Sequence, residues 1–206
     1  MKAKNPFIST LFYFIILFII LYIVLNTVLY LSCLTASYKI DDNNNNQEYL
    51  RVMIYGSSAT PEGNTVSGTF SIIDSNGNEI ATIERSWSGA YLAVEFVQIY
   101  LNGRYYIFPS KIYGKNRIIE DRKERKKGIA LEKYYNDYGQ CMLLGFGSSL
   151  EERKNLYKIA IFATKKYHFL TFGHTSKYTI DLSACKTNRY YTIACNNKGN
   201  LELKEI

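Results

Sequence analysis

The stretch TVSGTFSIIDSNGNEIATIERSWSG, Thr65 to Gly89, carries the reading on which the fold depends. In its first half Val66, Gly68, Phe70 and Ile72 alternate with Thr65, Ser67, Thr69 and Ser71. A period of two places one set on a buried face and the other in water, as a half-buried strand requires. Asp74 to Asn78 then reads DSNGN, and Asn76-Gly77 tolerates the positive φ angles of a tight turn, so a hairpin is predicted. The return strand ends near Trp87, where Ser88-Gly89 supplies another turn. Downstream, YLAVEFVQIYL (Tyr91 to Leu101) is apolar on both alternating sets except at Glu95 and Gln98, which suits a central strand covered on both faces. Asn102-Gly103 repeats the hairpin signal, and RYYIF runs back to Pro109. Upstream, LRVMIY (Leu50 to Tyr55) is a further short β-rich run. The first half therefore reads as a meander of about five strands.

Lys111 to Lys127 interrupts the alternation. KIYGKNRIIEDRKERKK holds eight basic and three acidic residues and reads as a surface excursion. Ile129 to Leu144 has no clean period and reads as a short helix followed by an apolar strand. Ser148 and Ser149 each precede a glutamate by three residues, the capping-box spacing. An amphipathic helix is expected from Leu150 to Lys166, with a strand over Lys158 to Thr164 as the alternative that its β-branched residues leave open. Tyr178, Ile180 and Leu182, then Tyr191, Ile193 and Cys195, return to alternation, and LELKEI closes the chain. The expected domain, residues 49–206, is α+β and β-rich, with antiparallel meander or sandwich-like sheets and one amphipathic helix.

Ahead of it, Leu11 to Leu34 spells LFYFIILFIILYIVLNTVLYLSCL, without charge and with only Asn26, Thr27 and Ser32 clearly polar. About 20 apolar residues cross a hydrocarbon core, so 11–34 is expected to be a transmembrane helix in contact with the lipid bilayer. Lys2 and Lys4 favour a cytoplasmic N-terminus (1–10) and an extracytoplasmic domain. Two alternatives stay open: cleavage of a secretory signal after Ser37, following the small residues Thr35 and Ala36, and lipidation of Cys33. Residues 35–48, which contain DDNNNNQ, are expected to form a flexible spacer.

The chain has 206 residues, 47% hydrophobic and 15% aromatic, too apolar to be disordered as a whole. Four cysteines, two histidines and three prolines exclude a disulfide-dense miniprotein, a His-rich metal site and a proline-rich adaptor. No residue pattern identifies a catalytic, metal or cofactor site, and Gly145 to Ser149 lacks the spacing of a nucleophile elbow. Three candidates remain. Cys185 and Cys195, on strands expected to be neighbours, could form a disulfide. Cys141 with His168 or His174 is the outline of a thiol hydrolase. Arg122, Lys123, Arg125, Lys126 and Lys127 concentrate the positive excess and could meet an anionic partner, an envelope surface or another envelope protein, while nucleic acid is not expected outside the cell. The leading functional expectation is a membrane-anchored binding or envelope-structural module, with the thiol hydrolase as its rival. The doublets among the 19 tyrosines are expected to place one ring inward and one outward.

Overall fold

The alternating segments assemble into two antiparallel sheets around one core. The computed structural model describes residues 6–41, 47–61, 63–117, 122–164, 175–196 and 199–206. Helix α1 (Pro6–Ser37) is followed by strands β1 (Glu48–Thr60), β2 (Gly63–Ile73), β3 (Glu79–Ser88), β4 (Tyr91–Leu101) and β5 (Arg104–Lys115). Short elements come next: α2 (Arg122–Lys126), β6 (Ile129–Ala130), α3 (Glu132–Tyr135), β7 (Asn136–Asp137), β8 (Gln140–Cys141) and a 3-10 turn at Met142–Leu144. Helix α4 (Leu150–Thr164) and strands β9 (Thr175–Asp181), β10 (Tyr190–Cys195) and β11 (Leu201–Glu205) complete the chain. The fold class is the α+β, β-rich architecture with a long apolar N-terminal helix.

The larger sheet has the order β11-β10-β1-β2-β3, and the smaller β6-β5-β4-β9; β7 and β8 make a separate two-stranded ribbon. In the larger sheet Leu50, Val52, Ile54, Val66, Phe70, Ile72, Ile83 and Ile193 point into the core, and Phe70 meets Trp87 edge-on with ring centroids 5.3 Å apart. Tyr49 of β1 reaches Phe96 of β4 across the core, 6.3 Å between centroids. Between β5 and β9, β4 is buried from Leu92 to Ile99, as its two apolar alternating sets require.

The expected meander is divided at Gly89. Its amide donates to the Asn64 carbonyl in the larger sheet, while the next amide, Ala90, donates to Lys115 in the smaller one. With φ of +139° at Gly89, the chain changes sheets within two residues, a conformation that favours glycine. A Cβ at Gly114 would collide with the Ser88 carbonyl, so the sheets touch here backbone to backbone.

Strand β5 does not end at Pro109. Glu95 pairs with Lys111 and Phe96 with Pro109, so Ser110 is an extra residue, and a bulge is where a sheet tolerates proline. Ile112 and Tyr113 beyond it are buried. The first part of the expected surface excursion is therefore core strand.

Local turn chemistry follows the sequence with one change. Asn102 and Gly103 both have positive φ, 50° and 82°, joining Leu101 to Arg104 in a two-residue turn. At the first hairpin only Gly77 is left-handed. There the Asp74 carboxylate accepts the amides of Asn76 and Asn78 at 2.9 and 2.8 Å, closing a longer Asx-stabilised loop. Of the two possible capping boxes, Ser149 and Glu152 form it: the Ser149 amide donates to Glu152 Oε2 at 2.8 Å and the Glu152 amide to Ser149 Oγ at 3.2 Å. Helix α4 is helical through Thr164, so the strand alternative for 158–164 falls away; Lys165 and Lys166 lie outside the described residues. The region 129–144 holds the short helix α3, but a tiny ribbon and a 3-10 turn replace the expected apolar strand. In each tyrosine doublet the second ring, Tyr106, Tyr135 or Tyr191, is buried and the first more exposed.

Candidate functional site

Cys141 closes β8 and is fully buried. Burial pushes its thiol up to about 12, against the smaller opposing effect of a hydrogen bond from the Leu143 backbone. A nucleophilic cysteine needs thiolate and access, and this one has neither. The adjacent Tyr135 is likewise enclosed and donates its hydroxyl to the Pro109 carbonyl at 2.9 Å. His168 and His174, the bases the hydrolase reading would use, lie outside the described residues.

Cys185 and Cys195 are free thiols, as are Cys33 and Cys141. The strands flanking Cys185 are not neighbours: β9 pairs with β4 in the smaller sheet and β10 with β1 in the larger. Cys185 is near Asp181 and Glu205, whereas Cys195 is near Glu202. Glu205 pairs with Tyr191 and Leu201 with Cys195, so the two thiols sit toward opposite ends of β10.

The basic stretch is partly turned inward. Glu95, 2% exposed, is ion-paired with Arg125 of α2 and with Lys177 of β9, the latter at 3.4 Å. Beside this cluster Lys115 Nζ lies 2.6 Å from Asp181 Oδ2. Burial draws the Asp181 carboxyl upward, but hydrogen bonds from Lys115 and Ser183 outweigh it and hold the group below its usual range. Lys111 donates to the Arg125 carbonyl at 3.3 Å, and Glu124 accepts the Asn116 amide at 3.0 Å. These bonds clamp α2 and β9 onto β4 and neutralise part of the local charge. Of the expected patch, Arg122 opens α2, Arg125 serves the buried carboxylate, and Lys123, Lys126 and Lys127 are exposed.

The most extensively built junction involves residues whose sequence reads as a cleavage site and a spacer. Cys33, Ala36 and Ser37, spaced i, i+3 and i+4, lie on one face of α1 and are 2–3% exposed. The Cys33 thiol points to the Lys158 carbonyl at 3.8 Å, and the Tyr30 ring is 6.2 Å from that of Phe162. Further on, Lys39 Nζ is 2.9 Å from Glu151 and the Asp41 amide donates to Glu152 at 3.3 Å. The order of these pairs makes α1 and α4 antiparallel.

The β4–β5 hairpin closes the same junction. Asn102 Nδ2 donates to the Leu34 carbonyl at 2.9 Å and to Ser37 Oγ; Arg104 donates to the Ile40 carbonyl and the Tyr106 hydroxyl to the Ser37 carbonyl, both at 3.3 Å. Several carbonyls that a helix C-terminus leaves unpaired are thus satisfied by the domain. The spacer expected over 35–48 is corrected at both ends. Thr35 to Ser37 are helical, and Ile40 is buried. Gln47 is buried too, donating to the Leu143 carbonyl at 3.4 Å and accepting the Cys195 amide at 2.9 Å. Smallness at Ala36 and Ser37 serves close packing, a role their spacing with Cys33 already encoded.

From Leu11 to Leu21 every α1 side chain is exposed and apolar, and the exposed series continues through Val24, Leu25, Val28 and Leu31. Asn26 and Thr27 return their side-chain donors to the Tyr22 and Ile23 carbonyls, at 2.8 and 2.9 Å. The helix is long and apolar enough to cross a membrane and stands as a candidate anchor or signal sequence.

Among the described residues no three His, Cys, Asp or Glu side chains group as metal ligands. The cavity between Gln47, Tyr106, Phe108, Leu144 and Leu156 measures about 10 Å³, room for one water. Comparison with models of protein families, with curated proteins and with solved structures finds no match to this chain.

Proposed function

We propose that this chain is a single-pass membrane protein whose α1 is retained as an anchor, with the N-terminus cytoplasmic and the β-rich domain extracytoplasmic, acting in binding or envelope structure and not in catalysis. The observation that carries the reading is the double character of α1. From Leu11 to Leu21 it exposes apolar side chains that water penalises by about 25 cal/mol per Å², while its last two turns belong to the domain core through Tyr30, Cys33, Ala36 and Ser37. A signal released after Ser37 would carry away part of that core. Retention keeps it whole.

Orientation rests on Lys2 and Lys4 ahead of the run. The non-catalytic reading is supported by the enclosed, protonated Cys141. The exposed Lys123, Lys126 and Lys127 offer an anionic envelope partner a place to bind. Alkaline extraction of membranes followed by N-terminal sequencing tests the anchor: the protein is expected in the pellet with its N-terminal segment intact, and a soluble chain beginning at Tyr38 overturns the reading. External protease on intact cells tests orientation, with loss of the domain expected and full protection opposing it.

A further inference from the structure

We infer that the domain rests directly on the headgroup layer of the membrane that α1 spans, touching anionic phospholipid through the tip of the β4–β5 hairpin and the exposed lysines of α4. The inference builds on the anchor reading and adds a fixed height, a contact face and a lipid chemistry.

The height follows from helix geometry. Leu11 to Leu31 covers about 30 Å of helix axis, the thickness of a hydrocarbon core. Cys33, which marks the level of Lys158, and Leu34, which marks the level of Asn102, follow within about 3 to 5 Å of Leu31 along the axis. A headgroup layer is about 5 to 7 Å deep on each side. The α1–α4 contact begins even lower, at Tyr30 and Phe162. No free chain separates the apolar run from the domain. Asp41 and Gln47, on either side of the asparagine run, are bonded to Glu152 and to Leu143 of the same domain.

The chemistry at this level suits a phospholipid surface. Tyr100 and Tyr105, 44% and 50% exposed, pack together behind the hairpin tip with centroids 4.8 Å apart, and tyrosine concentrates where one end of a side chain is apolar and the other wet. Arg104, Lys154 and Lys158 are exposed around the point where α1 enters the domain. An exposed lysine on a helix can extend its ammonium toward phosphate while its stem covers apolar surface. Glu95, and with it α2, stands six residues back along β4 from Leu101, about 20 Å. That exceeds a Debye length of about 8 Å, so the α2 lysines are screened from the contact at the hairpin tip.

The test uses the full-length chain in vesicles of phosphatidylcholine, with or without phosphatidylglycerol, carrying nitroxide lipids labelled shallow or deep. Trp87→Phe, which retains an aromatic ring against Phe70, provides the background for single tryptophans at Leu21→Trp, Tyr100→Trp or Lys126→Trp. Leu21→Trp is expected to lose emission to the deep label, Tyr100→Trp to the shallow label, and Lys126→Trp to neither. Adding Arg104→Glu with Lys158→Glu is expected to weaken the shallow quenching of Tyr100→Trp in phosphatidylglycerol vesicles. Deep quenching of Leu21→Trp without shallow quenching of Tyr100→Trp overturns the docking inference and leaves the anchor standing. Absence of deep quenching at Leu21→Trp overturns the anchor itself. Shallow quenching unchanged by the charge reversals and by lipid charge overturns the anionic-lipid component.

Discussion

Asn102 and Leu34 are joined by a 2.9 Å hydrogen bond from the Asn102 side-chain amide to the Leu34 carbonyl oxygen. The bond links the tip of the central hairpin to the last turn of the apolar helix. With Tyr106 bonding Ser37 and Cys33 packed under α4, it makes the end of the helix a working part of the folded domain.

Packing at this junction is expected to be tight. Ala36→Leu inserts three carbon atoms into a buried face of α1 and should cost about 1–3 kcal/mol through overpacking. Thermal unfolding in detergent reads this as a lower Tm, whereas Val24→Leu, on the exposed apolar surface, should leave Tm unchanged. Equal Tm values for both variants and the parent would show that the junction is loose.

Glu95 is expected to matter through its partners. Breaking a fully buried pair costs about 3–5 kcal/mol; Arg125 and Lys177 are 30% and 50% exposed, so Glu95→Gln should cost less, about 1–3 kcal/mol. Arg125→Ala should destabilise comparably by leaving the enclosed carboxylate short of a cation. Replacing both, as Glu95→Gln with Arg125→Ala, should cost less than the two single losses together. Urea denaturation of the four proteins measures it, and strict additivity of the two single losses would dissociate the pair.

Acid should loosen the clamp between β5 and β9. The Asp181 carboxyl is held below its unfolded value, so its contribution to stability is present above the unfolded pKa and is lost as pH falls through the folded one. Glu152 behaves in the same direction, chiefly through the hydrogen bond from Ser149. Stability is therefore expected to fall below about pH 4, and Asp181→Asn should be less stable at neutral pH with a shallower acid loss. A pH series of Tm values checks this, and a slope identical to the parent's would exclude Asp181 as a contributor.

All four cysteines should alkylate in denaturant without reductant, because all four are free thiols. In the native protein Cys141 should stay unmodified; Cys185, the most exposed of the four, should react slowly because burial and the nearby Asp181 and Glu205 push its thiol up to about 11. Mass spectrometry reads both results, and a mass two hydrogens short with 185 and 195 unmodified would restore the disulfide.

Features set by neighbouring residues are legible in the amino-acid sequence. The positive φ angles that Asn102-Gly103 tolerates, the alternation of Val66, Phe70 and Ile72, the Ser149–Glu152 spacing and the length of the apolar run each express a constraint acting within a few residues or along one helix. The partner of each strand is not legible in that way. Alternation says that Tyr191 and Ile193 face a core, not that β10 lies beside β1 while β9 lies beside β4. Lys111 and Lys115 read as a solvated run because their partners, the Arg125 carbonyl for Lys111 and the Asp181 carboxylate for Lys115, are remote in sequence or follow a turn.

What the sequence determined by itself was a lipid-length helix, a β-rich domain and the sites of its tight turns, since chain sterics and side-chain polarity act locally. Only the tertiary structure decided that the meander divides at Gly89, that Glu95 gathers Arg125 and Lys177, and that Ala36 and Ser37 are core. Those outcomes depend on which distant surfaces bury each other best, a property of the whole packed chain and of no single segment.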